Sequence, residues 1–464
     1  MTEGQSHQPA AFDWPLAFAA EELLRKRLNS FLEHHSWARR LAERLHCETG
    51  TDLFEWIDHV TFKEDDVFAL RDAGFVPENA KAPSGIEVFY HPRAMLPRAL
   101  VMPQGSRDGV PTRLAIRTES LVDFVAAHDL PAEIRDRFGS RLRRASIAIE
   151  NGFEFIAVER LGWRHLVASE PVPGFATSIL SAQELWRTRK RKFPDDSEAV
   201  QRAFEVQAKA IELAGPDVAC ELFFGEERRY WERRNRAGQI QKRRQDWLGL
   251  GWGNHDHHTF RCSRRFFADL IRFLLNFGFI KRERYYAGAE AGWGAQILEH
   301  YVTGITVFAD VDLMPEETDI DFSQQPLPEA GRLGTVGLWC GLHGDSFLQA
   351  GMHHLEARFE FGTLRDQLAD QGISTMKPFS DFTFLKQAFT EGERWPVEPR
   401  RIQALLDRAL ITPEQAETFG RTGAIGSHLE NLQRKGGFKG FNQKSVSVII
   451  EATDPRALST AARS

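Results

Sequence analysis

The chain has 464 residues, of which 42% are hydrophobic and 27% are charged, as in ordinary globular proteins. Its net charge of −6 gives no support for general nucleic-acid binding, which needs a positive surface. The sequence has neither an apolar run long enough to span a membrane nor a signal peptide. Its four cysteines are far apart, which indicates a reducing compartment. We therefore expect a cytoplasmic protein that binds neither nucleic acid nor membranes.

The first 181 residues predict N-terminal helices followed by a β-rich unit. Apolar residues recur at helical spacing over 14–50, and the stretch 54–63 alternates like a strand. That strand carries Asp58 and His59. Further strands are expected over 85–102, at the start of 113–130, and on either side of a turn at Asn151-Gly152.

Residues 182–250 form a charged, mostly helical connector. Its most basic stretch, 187–192, has the sequence RTRKRK. Such a run can bind nucleic acid, but acids follow directly at Asp195 and Asp196. A solvated helix face is the interpretation that we prefer.

Residues 251–464 repeat the pattern of the first unit. The segment Asp256-His257-His258-Thr259-Phe260-Arg261 echoes 58–63, and each is followed by a helix that ends at a Gly-Phe pair. A repeated pattern of this kind indicates paired βαβββ modules. The predicted fold is therefore α+β, with two pseudo-repeated βαβββ-type halves forming a β-barrel core with added helices. The predicted domains are 1–181, 182–250 and 251–464.

The histidine-rich strand suggests a site. Side chains alternate faces on a strand, so His255, His257, Thr259 and Arg261 are expected on one face and His258 on the other. A histidine-rich segment is also compatible with a solvated loop or with hydrogen-bonded core histidines. Partners elsewhere in the chain have to decide between these interpretations.

The second half supplies suitable partners. Two histidines and one carboxylate form the facial triad of non-haem Fe(II) enzymes, and His257, His354 and Glu430 have that chemistry. The first half keeps His59 but has RLAIRT where His354 is expected, and it has Glu159-Arg160 near the position of Glu430. We interpret the first half as a scaffold that closes the barrel. His59 remains an alternative ligand, as do His255, His258 and His353.

Three motifs in order carry a resemblance to a known family. They are Asp256-His257-x-x-x-Arg261, His353-His354-Leu355, and Glu430-x-x-x-Arg434 followed by Gly440-Phe441. Over about residues 250–455 the chain resembles the 2-oxoadipate dioxygenase/decarboxylase family, non-haem iron enzymes related to the vicinal-oxygen-chelate fold. His353 departs from the small polar residue that is usual there.

The resemblance implies both a reaction and residue roles. Fe(II) would be bound by His257, His354 and Glu430, and a 2-oxo acid would react with O₂. In the family reaction, which belongs to lysine catabolism, 2-oxoadipate gives 2-hydroxyglutarate and CO₂. Arg261 would bind a substrate carboxylate, because its planar guanidinium suits bidentate contact. Arg434 would either bind a distal carboxylate or orient Glu430.

Two other classes of function stay open. One is an O₂-independent metalloenzyme on the same fold, a hydrolase, lyase or isomerase using Zn²⁺ or Mn²⁺ as a Lewis acid. The other is a non-catalytic ligand-binding protein with structural histidines. The presence of three ligand types in the family order argues against the latter.

Overall fold

The computed structural model describes residues 14–103, 111–289, 291–318, 320–441 and 454–456. It shows an α+β protein built on two mixed sheets, which confirms the predicted fold class. The first sheet contains β1 (Ile57–Phe62), β2 (Val76–Glu78), β3 (Glu87–Tyr90), β4 (Arg98–Val101), β5 (Thr112–Arg117), β6 (Ile134–Arg135), β7 (Leu142–Glu150) and β8 (Phe153–Arg160). The second contains β9 (His255–Arg261), β10 (Ile280–Tyr286), β11 (Trp293–Glu299), β12 (Thr306–Asp312), β13 (His354–Arg358), β14 (Ser380–Phe382), β15 (Leu385–Phe389), β16 (Glu393–Trp395) and β17 (Ala424–Arg434).

The two sheets have the same topology. Their strand orders are β2-β3-β4-β1-β5-β8-β7-β6 and β10-β11-β12-β9-β13-β17-β15-β14, with β16 paired to β17. In each, the first strand pairs in parallel with the fourth and antiparallel with the fifth. The internal repeat is therefore confirmed, and each half contains two βαβββ units. Within the described residues each sheet is an open path, without pairing between its edge strands.

Helices cross over within these units and join the two halves. The helices are α1 (Phe18–His34), α2 (Ser36–Arg44), α3 (Val67–Asp72), α4 (Leu121–Ala127), α5 (Phe175–Arg187), α6 (Asp196–Ala214), α7 (Pro216–Glu232), α8 (Arg236–Asp246), α9 (Phe267–Asn276), α10 (Thr335–His343), α11 (Phe361–Ala369), α12 (Pro399–Asp407) and α13 (Pro413–Thr422). In the described part of the chain, no helix is long and apolar enough to cross a membrane.

The connector helices share a hydrophobic core with the second sheet. Phe223 on α7 packs edge-on against Trp186 on α5 and Phe273 on α9, with ring centroids 5.0 and 5.2 Å away. It also lies 6.3 Å from Phe260 on β9. Offset and edge-on aromatic pairs of this kind add to the free energy gained by burying the rings. The back of the histidine-rich strand is therefore held by packing against the connector.

The basic stretch of the connector is only in part the solvated helix face that was predicted, since Arg187, Thr188, Lys190 and Lys192 are exposed but Arg189 and Arg191 are not. Helix α5 ends at Arg187. Beyond it, the half-buried Arg189 and Arg191 both pair with the buried Glu227, at 2.8 and 2.5 Å. A buried carboxylate needs such partners because removing it from water is costly. These arginines therefore bind α7 rather than solvent.

Candidate metal centre

Three neighbouring strands bring polar side chains to one face of the second sheet. The antiparallel pairing of β9 with β13 places His257 opposite Glu356, and the parallel pairing of β13 with β17 places Glu356 opposite Glu430. Two residues away along each strand, Thr259, His354 and His428 also lie opposite one another, in a second row. Residues two apart on a strand share a face, so both rows project to the same side.

The polar atoms of these rows converge on one carboxylate. Oε1 of Glu356 lies 2.7 Å from Nε2 of His257 and 2.7 Å from Nε2 of His354. The hydroxyl of Thr259 donates to the same oxygen at 3.1 Å. Nε2 of His354 lies 3.9 Å from Oε2 of Glu430. Two imidazoles and two carboxylates thus meet in a buried cluster, His257/His354/Glu356/Glu430.

Both carboxylates resist ionisation in this cluster. Burial raises the pKa of Glu430 to about 7, and burial together with the charge of Glu430 raises the pKa of Glu356 well above its ordinary value. Burial also lowers the pKa of His257 to about 4, which keeps the imidazole neutral. A divalent cation binds neutral imidazoles and ionised carboxylates, so its binding here would release the proton that the carboxyl pair holds.

The donor set fits a metal ion. Ligand atoms of His257, Glu356 and Glu430 lie within 4.8 Å of one another. Oε2 of Glu356 is buried and has no hydrogen-bond donor, and such an orphaned carboxylate oxygen is costly unless a cation binds it. The nitrogen and oxygen donors suit Fe(II), Mn²⁺ or Zn²⁺.

A β-bulge supports the first histidine. The register of β9 against β13 jumps from His257 to His255, so Asp256 is the extra residue. Its Oδ1 accepts a hydrogen bond from Nδ1 of His257 at 2.9 Å. This contact fixes the tautomer and directs Nε2 toward the cluster, as an outer carboxylate commonly does for a ligating histidine.

Arg434 contacts Asp256 rather than a cavity. Its guanidinium bonds both carboxylate oxygens of Asp256 at 3.0–3.2 Å and donates to the carbonyl oxygen of Phe438. Burial alone would raise the pKa of Asp256, but the charge of Arg434 and the hydrogen bond to His257 hold that pKa well below its ordinary value. Arg434 therefore orients His257 through Asp256.

The bulge also explains one wrong expectation. His255 was predicted to share a face with His257, but its ring lies 5.3 Å from that of His258, on the opposite face. Nδ1 of His255 hydrogen-bonds to the carbonyl oxygen of Trp252. His258 contacts Arg228, and Nδ1 of His353 hydrogen-bonds to the carbonyl oxygen of Gly426. None of these three histidines belongs to the group of metal-binding side chains found among the described residues, which is His257, Glu356 and Glu430. The predicted ligand His354 also lies outside that group and meets it through Glu356.

A cavity of about 80 Å³ opens onto the cluster. Arg261 and its strand neighbour Asp310 lie in its wall, and burial raises the pKa of Asp310 to about 7. Gln387, also in the wall, donates to Oε1 of Glu430 at 2.8 Å. The rest of the wall is largely aromatic: Tyr285, Trp293, Phe308, Phe379, Phe389 and Phe441. The cavity thus joins a polar cluster and an arginine in apolar surroundings.

Glu356 is the residue that the sequence analysis missed. The tripeptide His-Leu-Glu occurs twice, at 354–356 and at 428–430. On a strand the histidine and glutamate of each copy share a face. The sequence analysis considered Glu430 but not Glu356, although the repeated tripeptide gives both glutamates the same placement.

Among its described residues, the first half has no equivalent donor set. Its strand β1 carries the same bulge, with Asp58 bonded to Nδ1 of His59 at 2.6 Å. Register then places Ala115 where Glu356 lies and Ile156 where Glu430 lies. Arg113 takes the position of His354.

Glu159 lies three residues beyond the counterpart of Glu430, as the sequence comparison placed it nearby, but it does not occupy that position. Its carboxylate accepts a hydrogen bond from the backbone N–H of Leu121 and one from Arg143. Arg160 is the counterpart of Arg434, since it lies four residues beyond Ile156 and pairs with Asp58 at 2.6 Å. The ion pair of arginine and aspartate that supports the histidine is thus present in both halves, although the candidate metal ligands are present only in the second.

The comparison with solved structures finds, among others, two enzymes. A variant of 4-hydroxymandelate synthase from Streptomyces coelicolor is 14% identical, with a TM-score of 0.28, over 86% of this chain and 98% of that chain. Methylmalonyl-CoA epimerase from Mycobacterium tuberculosis is 11% identical, with a TM-score of 0.23, over 39% of this chain and 88% of that chain. The sequence matches no protein-family model and no curated protein.

Proposed function

We propose that the protein is an Fe(II)-dependent dioxygenase that decarboxylates a 2-oxo acid, with 2-oxoadipate as the first substrate to test. One observation supports this most: two neutral imidazoles and two carboxylates converge beside a cavity that also contains Arg261. A site with two histidines and one carboxylate leaves coordination positions for substrate and O₂.

His257, His354 and Glu430 would hold the metal. All three are buried. His257 is held by its hydrogen bond to Asp256, and Glu430 is held by the hydrogen bond that Gln387 donates to it. Bound Fe(II) would supply the electron transfer to O₂ that oxidative decarboxylation requires. The balanced reaction takes one 2-oxo acid and one O₂ to CO₂ and a 2-hydroxy acid one carbon shorter, with one oxygen atom of O₂ in its carboxylate and the other in its hydroxyl group.

The protein groups around the metal would bind and orient the substrate. The guanidinium of Arg261 would pair with a carboxylate of the acid, and the aromatic wall would exclude water from the cavity. Asp310, whose carboxyl has a pKa of about 7, lies beside Arg261 and would hold a proton near the substrate carboxylate. Arg434 and Asp256 would keep His257 in place without touching the substrate.

Glu356 favours a second candidate. If both glutamates bind the metal, two histidines and two carboxylates leave fewer open positions, an arrangement suited to Lewis-acid chemistry by Mn²⁺ or Zn²⁺. If Glu356 is displaced by the metal, it remains within reach as a general base. An O₂-independent lyase or isomerase is therefore the alternative.

The deciding experiment measures O₂ uptake and CO₂ release by the Fe(II)-loaded protein with 2-oxoadipate. We expect the two gases to change in equal amounts, and both changes to disappear in His257→Ala and His354→Ala. His59→Ala, which removes the equivalent histidine of the first sheet, is the matched control and should stay active. Turnover of the acid under argon would overturn the oxygenase and support the alternative.

A further inference from the structure

A second cavity lies on the first sheet, at the position that corresponds to the candidate metal centre of the second sheet. It has a volume of about 230 Å³, larger than the cavity at the metal cluster. His59 and Thr61 line it as His257 and Thr259 line the other. The repeat has therefore kept a cavity after losing the ligands that would hold a metal in it.

The replaced positions change the chemistry of this cavity. Arg113 stands in place of His354 and Ile156 in place of Glu430. Arg135 and Arg144 also line the wall. Against these three guanidiniums, Glu154 pairs with Arg113 at 2.8 Å, and Asp136 lies 3.9 Å from Arg144. The cavity thus favours an anion over a cation.

Arg135 and Arg144 lie in an unfavourable arrangement. They are direct partners in the antiparallel pairing of β6 with β7, and like charges in that position destabilise a sheet. Nε of Arg144 has no hydrogen-bond acceptor, since Oδ2 of Asp136 is 3.9 Å away, and 42% of the Arg144 side chain is exposed at the mouth of the cavity. A carboxylate between the two guanidiniums would supply the acceptor and relieve the repulsion.

The rest of the wall is largely apolar. Its hydrophobic members are Pro83, Ile86, Leu100, Met102, Leu142, Ile156, Val158 and Leu166. An aliphatic chain would bury its surface against them.

We propose that the first-half cavity is a binding site for a small aliphatic carboxylate. The carboxylate lies between Arg135 and Arg144, and the chain extends along Val158 and Ile156 toward His59. The site needs no metal and does not depend on the reaction assigned to the second half. It makes the first half a ligand-binding module rather than only a scaffold.

The test is calorimetric titration of the full-length, metal-free protein with hexanoate, with hexanol as the uncharged control ligand. We expect saturable binding of hexanoate and a much weaker response to hexanol. The double variant Arg135→Gln/Arg144→Gln should weaken hexanoate binding by about tenfold or more, because a hydrogen bond to a charged group contributes about 1.5–3 kcal/mol. Leu100→Phe, which places at β4 the residue type that Phe308 provides in the second half, should block the cavity.

Two controls separate this site from the others. Arg137→Gln changes an exposed arginine beside β6 that does not line the cavity, and it should leave binding unchanged. Arg261→Gln removes the arginine of the second-half cavity and should also leave binding unchanged. Hexanoate binding that survives Arg135→Gln/Arg144→Gln, that is lost in Arg261→Gln, or that is absent in the wild type would each overturn the proposal.

Discussion

His354 and His428 lie directly opposite each other on the parallel strands β13 and β17, and each begins a His-Leu-Glu tripeptide. The same register therefore places Glu356 beside Glu430. Two buried carboxyl groups at this spacing do not both ionise readily without a cation, because burial raises the pKa of each and the charge of Glu430 raises that of Glu356 further. The paired tripeptides thus create the negative charge that a metal ion would neutralise.

The first prediction concerns these two glutamates. Glu430→Gln should lower the affinity for Fe(II) by more than the roughly 10–100-fold expected for loss of an outer partner, because a ligand is removed. Glu356→Gln should have a similar effect if Glu356 binds the metal and a much smaller one if it acts only as a base. Anaerobic titration with Fe(II) measures both.

Glu154→Gln provides the control for that titration. Glu154 is a buried carboxylate at the position of His428 in the first sheet, and its removal should leave Fe(II) affinity unchanged. Wild-type affinity in Glu430→Gln would contradict the ligand assignment.

The second prediction concerns the carboxylate behind His257. Asp256→Asn should lower metal affinity by about 10–100-fold, because the hydrogen bond that fixes the imidazole is weakened. Asp58→Asn makes the same change in the first half, where Asp58 supports His59. It should destabilise the fold and leave metal affinity unaltered. Equal effects of the two substitutions on metal binding would show that Asp256 acts only on stability.

The third prediction is a pH dependence of stability. Burial alone would raise the pKa of Asp58, but the charge of Arg160 holds it well below the ordinary value of 3.8. The ion pair therefore stabilises the folded state fully above about pH 4, and this contribution is lost as the pH falls through the lower folded pKa. Asp58→Asn should cost about 3–5 kcal/mol near neutrality, since it breaks a buried pair.

Urea unfolding of wild type and Asp58→Asn across pH measures that contribution. The difference in unfolding free energy should be constant near neutral pH and should shrink below pH 4. A difference that does not change with pH down to acid unfolding would show that the pair is not the cause.

The fourth prediction concerns the connector. Phe223→Ala should destabilise the protein by about 3–5 kcal/mol, because it opens a cavity among Trp186, Phe260 and Phe273. Phe68→Ala, at a side chain that is 85% exposed, should change the unfolding free energy little. Thermal or urea denaturation distinguishes them, and similar losses in the two variants would contradict the packing described.

The sequence was sufficient for the repeat and for the strands that carry His59 and His257. Alternation and the echo between 58–63 and 256–261 predicted both histidine strands, and the helix that follows β9 was also expected. These signals are local, so they can be recognised in one chain.

The remaining features depend on how distant strands pair. The bulge at Asp256 turns His255 away from His257, and only the partner strand shows it. The counterpart of Glu430 is Ile156, because the register of β5 against β8 places Ile156 opposite Ala115. Glu159 is close to it in sequence but lies three residues further along β8. Helix α10 was missed because its apolar residues lie on all sides and give no helical period.

The most direct test of the metal centre is the amount of iron bound per chain after anaerobic Fe(II) loading and gel filtration. We predict one iron per chain in the wild type and in His59→Ala, and none retained in His257→Ala. Iron retained by His257→Ala, or lost only in His59→Ala, would contradict the assignment of the metal to the second sheet.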